Sequence, residues 1–198
     1  MVLAILAGGR GDASTSTDAA RPPGCLSMNI HFRIPAKLFK ELHADLSRPH
    51  PHAFERVAFL PSRPAALHGG GLLLVAHALH PVADDDYEPS TTVGALLRGA
   101  AFRKALQYAY NQPVSMFHVH RHEHKGQPRF SYVDLQESAK FVPDFWKVRP
   151  QHPHGTIVLS QNSAFGLVWY QAGRAPAPIS KFTLVAHPLR EVNHGGIR

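Results

Sequence analysis

Between Phe117 and Asp134 the chain reads Phe-His-Val-His-Arg-His-Glu-His-Lys-Gly-Gln-Pro-Arg-Phe-Ser-Tyr-Val-Asp, and no other stretch restricts the fold so strongly. Residues 114 to 119 alternate in the manner of a strand, which sends every second side chain to one face, so His118 and His120 point the same way. Two imidazoles fixed side by side can both reach one ion at about 2.0–2.1 Å, the distance zinc requires. Ser131-Tyr-Val-Asp134 follows a loop containing Gly126 and Pro128 and opens a segment of helical character, which lets Asp134 fold back toward the histidines. Three protein ligands leave a fourth position for water, the arrangement of a catalytic zinc site. His122 and His124 extend the alternation, and either can replace a ligand of that set, although the Lys125-Gly126 turn is expected to lead them away from the strand face.

The same residues also have plainer explanations. Ser-x-x-Asp is a helix capping box whether or not a metal is nearby. With 15 histidines in 198 residues, some pairs two apart arise by chance, and His31, His43 and His68 need no function. Trp146 and Trp169 fit packing better than recognition.

Around this stretch the chain divides simply. Residues 1 to 27, rich in Gly, Ser, Thr, Ala and Pro, are expected to form a disordered leader, with Met28 a candidate start; 28 to 190 form one domain and 191 to 198 a tail. Residues 29 to 34 read as a short strand, and Leu38, Phe39, Leu42 and Leu46 as one face of a helix beginning near Pro35. Residues 54 to 60 read as a strand closed by Pro61, residues 71 to 79 as its pairing partner. Thr91 or Thr92 is placed to cap a helix carrying Val93, Leu96, Leu97 and Ala100. Residues 135 to 145 are expected to be helical, and 156–159, 165–170 and 182–185 to be late strands. Strands and helices in this order predict an α/β or α+β domain, a central mixed sheet flanked by helices.

The pattern His-x-His, then Ser-x-x-Asp at a helix start, with a glutamate on an earlier strand, resembles the JAMM (MPN-plus) zinc metalloproteases, and most closely their prokaryotic branch. The likeness runs from about Asn29 to Ala186 and includes Gly155-Thr-Ile-Val-Leu-Ser160 and Leu167-Val-Trp169. It implies an MPN-like single domain in which His118, His120 and Asp134 hold Zn2+, Glu55 is the general base and Ser131 helps to stabilise the oxyanion. Glu41 and Glu88 are rivals for the base in less suitable surroundings. The sequence departs from the family in its long 121–130 loop, in Arg121 where a proline is common and in Ala58 where glycine is common. The implied activity is cleavage after the C-terminal tail of a ubiquitin-like protein, with activating and conjugating enzymes as further partners.

A non-catalytic MPN-like scaffold is the main alternative; family scaffolds usually lack the ligands present here. The related hydrolase motif His-x-His-x-Asp-His does not fit, because His122 stands where aspartate is required. The charge of +7 would suit an acidic partner, yet no basic run is visible, so nucleic-acid binding ranks last. The lone Cys25 forms no internal disulfide, and the apolar 1–7 segment is too short for a signal core or a span, so a cytoplasmic protein without a membrane segment is expected.

Overall fold

In a computed structural model the described residues are 3–5, 28–51, 53–90, 94–186 and 190–192. Strand β1 (Leu3–Ile5) is followed by β2 (Ile30–Pro35) and helix α1 (Ala36–Leu46), whose Leu38, Leu42 and Leu46 are buried at helical spacing. Then come β3 (Val57–Ala66), β4 (Leu72–Ala76), the two-residue β5 (His80–Pro81), β6 (Ala95–Leu97) and α2 (Gly99–Asn111). The chain continues through β7 (Ser115–Arg121), α3 (Tyr132–Phe141), a 3-10 turn over Val142–Lys147, β8 (His154–Leu159) and β9 (Ala164–Trp169). It closes with β10 (Ala177–Pro178), β11 (Lys181–Val185) and β12 (Arg190–Val192).

Nine strands run in the order β10-β9-β8-β7-β3-β4-β2-β11-β12, and β5 pairs with β3 beside them. The pairings β7–β8, β2–β4 and β2–β11 are parallel and the others antiparallel, so the mixed sheet flanked by helices that the sequence predicts is present. Each face buries its own core. Phe32, Leu60, Leu74, Phe117, Val119, Ile157 and Phe182 pack with α1 on one side. Val57, Phe59, Met116, Phe102 from α2, Phe141 from α3 and Phe145 pack on the other.

Four sequence expectations need correction. Strand β3 does not stop at Pro61 but continues through Pro61 and Pro64. Its pairing explains why: β7 covers Val57 to Ser62 on one side, while on the other β5 ends at Phe59 and β4 begins at Ser62. The Pro61 carbonyl faces the β4 side, accepting from His77 N–H at 3.0 Å, so its nitrogen lies in the gap between β5 and β4. Pro64 turns to the other side, beyond the end of β7, so neither proline removes a ladder bond.

Leu96 and Leu97 belong to β6 rather than to a helix, and the helix starts at Gly99; Thr91, Thr92 and Val93 lie outside the described residues. Leu3–Ile5, expected in the leader, pair antiparallel with Ala95–Leu97, where an apolar triplet finds an open edge. The rest of residues 1 to 27 lies outside the description. Finally, Arg190–Val192 pair with β11, so an ordered strand crosses the expected tail boundary.

Candidate metal centre

The registers of β3 and β7 assemble the site. Val57 lies opposite His120 and Phe59 opposite His118, which places both histidines on the face packed by α2 and α3. Continued by two residues, the same register sets Glu55 against His122. Glu55 does not lie on the strand as expected, since β3 begins at Val57; its N–H donates to Gly94 O at 2.8 Å, which fixes it just before the strand.

His122 lies past the end of β7, yet its N–H donates to Leu159 O at 2.8 Å, prolonging the alignment with β8. Arg121 and Leu159 are the last paired residues of the ladder, and this bond carries the alternation one step further. The turn at Lys125-Gly126 therefore comes too late to carry His122 away. Ring centroids of His118 and His120 are 6.0 Å apart and those of His120 and His122 are 5.1 Å apart.

The potential ligand atoms of Glu55, His120 and His122 all lie within 4.8 Å of one another. Asp134 approaches the same place, with Oδ2 3.7 Å from His120 Nε2. His118 is not a member of the triad. Residues four apart on a strand are separated by roughly 13 Å, too far for His118 and His122 to share an ion from a rigid backbone. An ion bound here could lie between His118 and His120 or between His120 and His122, and Glu55 stands beside the second place. His118 instead sits among aromatic rings, its centroid 5.0 Å from Phe141 and 5.7 Å from Phe59. Of the ligands expected from the sequence, His120 thus falls in the possible triad, whereas His118 and Asp134 do not, although Asp134 reaches His120; His122 and Glu55 complete the triad.

Ser131 and Asp134 form the capping box of α3. Ser131 N–H donates to Asp134 Oδ2 at 2.7 Å, and Asp134 N–H donates to Ser131 Oγ at 3.1 Å. Such a cap stabilises a helix by about 1 kcal/mol. It also fixes the Asp134 carboxylate with Oδ1 left over. The Ser131 hydroxyl hydrogen is not consumed by the cap, so a donor role stays open to it.

The donor set fits a metal. Among the described residues, Glu55 Oε2, both ring nitrogens of His120, His122 Nε2 and Asp134 Oδ1 are buried without a hydrogen-bond partner. Leaving such a group unsatisfied costs about 1–3 kcal/mol, so their gathering at one place calls for a ligand. Burial lowers the pKa of His120 to about 4, partly opposed by Asp134, and also lowers that of His122. Both imidazoles are consequently neutral near pH 7, the form that ligates. Burial, with Asp134 and Glu123 adding repulsion, raises Glu55 to about 8. Two imidazoles and the Asp134 carboxylate, with Glu55 beside them, form a mixed nitrogen and oxygen set of the kind zinc takes.

No protein-family model matches the chain, and no curated protein matches it. No helix among the described residues is long and apolar enough to cross a membrane.

Proposed function

We propose that this protein is a zinc-dependent peptidase of the JAMM (MPN-plus) type, with an MPN-like fold, that cleaves after the C-terminal tail of a ubiquitin-like protein. The observation that carries the reading is the buried convergence of Glu55, His120 and His122, with Asp134 presented to His120 by a helix cap. The resemblance of His-x-His, Ser-x-x-Asp and the earlier glutamate supports the finer assignment. His120, His122 and Asp134 are the residues that would hold zinc. Bound there, zinc supplies a Lewis acid that lowers the pKa of water toward about 7 and polarises a carbonyl.

The remaining chemistry belongs to Glu55. Its Oε2 is buried and unpartnered, so it is free to take a proton from the attacking water. As the water oxygen bonds to the scissile carbon and the C–N bond breaks, Glu55 delivers that proton to the departing amine. Burial and the neighbouring carboxylates raise its pKa to about 8 in the metal-free protein, where it holds a proton at pH 7; beside a bound cation that value falls, leaving the carboxylate free to act as base. Ser131 Oγ retains a hydrogen to donate toward the developing oxyanion, an effect worth on the order of 3 kcal/mol where it is made.

The rim supports a protein substrate. Phe54, adjacent to Glu55, is 66% exposed, and Tyr132 and Leu135, flanking the capping box, are 74% and 42% exposed. Their nearness in sequence to Glu55, Ser131 and Asp134 would give a protein substrate apolar side chains to contact. Activating and conjugating enzymes of the same system would be its working partners.

The test is cleavage of a fusion in which a ubiquitin-like protein precedes a reporter. Glu55→Gln should keep zinc and fold and lose about 10²–10⁴-fold in rate, because the amide cannot accept the proton. Cleavage within a few-fold of wild type would remove Glu55 from the mechanism. Partner binding without turnover in the wild type would replace the enzyme by a scaffold.

A further inference from the structure

The histidine series does not end at the triad. His124 is exposed, and its ring centroid is 5.7 Å from that of His122, which is 8% exposed and itself 5.1 Å from His120. Two imidazoles that bind one ion at about 2.0–2.1 Å have ring centres roughly 6 Å apart or less, so each neighbouring pair is close enough to share an ion.

The outer part of this series is anchored rather than loose. His122 N–H donates to Leu159 O at 2.8 Å and Gln161 N–H to His124 O at 3.0 Å. Gly126 N–H donates to Asn162 Oδ1 at 2.8 Å, and Ser160 Oγ donates to Gly126 O at 2.6 Å. The segment is thereby tied along the turn that links β8 and β9. His124 Nδ1 lies 2.9 Å from Lys125 O, and since a carbonyl only accepts, Nδ1 carries the hydrogen. The lone pair is then on Nε2, the atom available to a cation.

We infer that His124 is a capture point for divalent transition cations, handing them to His122 and so to the buried centre. The step exchanges ligands only: the ion trades a water for His124 Nε2, gains His122 Nε2 and then releases His124. Neither an electron nor a covalent bond within the protein is involved. The inference rests on the metal-centre reading and not on peptidase activity. It explains why the alternation of histidines runs beyond the residues that a mononuclear site can use.

The test is rapid-mixing uptake of cobalt(II) by the full-length, metal-free protein, followed by its visible absorption. His124→Ala and His124→Gln are compared with wild type and with His68→Ala, a surface histidine outside the series. Losing a local capture point should slow uptake roughly tenfold while the affinity, measured against a chelator, stays within about threefold. Release must slow by the same factor as uptake, because a path serves both directions, and the final cobalt spectrum should be unchanged. Circular dichroism of the metal-free variants checks the fold, and the glutamine variant serves if alanine disturbs it. Uptake at the wild-type rate overturns the inference. So does a loss of affinity through faster release, which would make His124 an ordinary ligand. A wild-type protein that takes up no cobalt overturns the metal centre itself, and the capture point with it.

Discussion

Along β7, adjacent residues meet opposite conditions. Phe117 and Val119, both 0% exposed, pack into the cluster on the α1 side, where Phe117 meets Phe32 edge-on with centroids 5.1 Å apart. His118 and His120, 2% and 1% exposed, face the other core with no hydrogen bond at any ring nitrogen. The apolar face is accounted for by folding alone, since burying such side chains is favourable at about 25 cal/mol per Å². The histidine face costs stability as it stands. One face of the strand is thus satisfied by packing alone, and the other would be satisfied only by a ligand.

The largest stability effect expected from either face is on the apolar side. Phe117→Ala should cost about 3–5 kcal/mol in chemical denaturation, through lost burial and the cavity left beside Phe32 and Gly155. A loss below about 1 kcal/mol would show that this face is not the fold's main support.

A satisfied histidine sharpens the contrast. His154, 0% exposed, accepts from Met116 N–H through Nδ1 at 3.0 Å, has Nε2 3.2 Å from Arg149 O, and stacks on Phe145. Burial lowers its pKa to about 4, from an ordinary 6.5. The unfolded chain therefore binds the proton first. The stability that His154 contributes is complete above pH 6.5 and lost as pH falls toward 4, by at most about 3 kcal/mol. His154→Gln should flatten that part of the stability-pH curve of the metal-free protein; equal slopes for the two proteins would contradict the assignment.

A smaller effect, of opposite sign, is expected at His118. It lies among Phe59 and Phe141 with both nitrogens unpartnered and outside the triad. His118→Leu, similar in volume, should raise stability by about 1–2 kcal/mol, because an unsatisfied buried group is removed. Zinc content should be unchanged. Loss of zinc in this variant would restore His118 to the ligand set and displace His122.

Most of the architecture was legible because it depends on local pattern. Leu38, Leu42 and Leu46 mark the buried face of α1, and alternation in β7 places Phe117 and Val119 opposite the histidines. The histidine face was legible as well, but not which two of its members lie together with Glu55. That choice depends on two long-range facts: the register that sets Val57 against His120, and the Leu159 carbonyl that keeps His122 in line. Neither is encoded near residue 120. Similarly, Pro61 and Pro64 look like strand breakers until the staggered ends of β4, β5 and β7 reveal that their missing N–H groups face no partner. The pairing of Leu3–Ile5 with β6 was hidden because an isolated triplet carries too little periodicity to distinguish a strand from a leader.

The central claim is that the unsatisfied face of β7 is a metal centre held by His120, His122 and Asp134. Elemental analysis of protein purified without chelator, beside the His120→Ala, His122→Ala double variant, tests it most directly. About one zinc per chain in the wild type and close to none in the double variant is the expected result, since a catalytic zinc site has three protein ligands. Wild-type protein that contains no zinc and gains none when zinc is added, or a double variant that retains its full complement, would contradict the account.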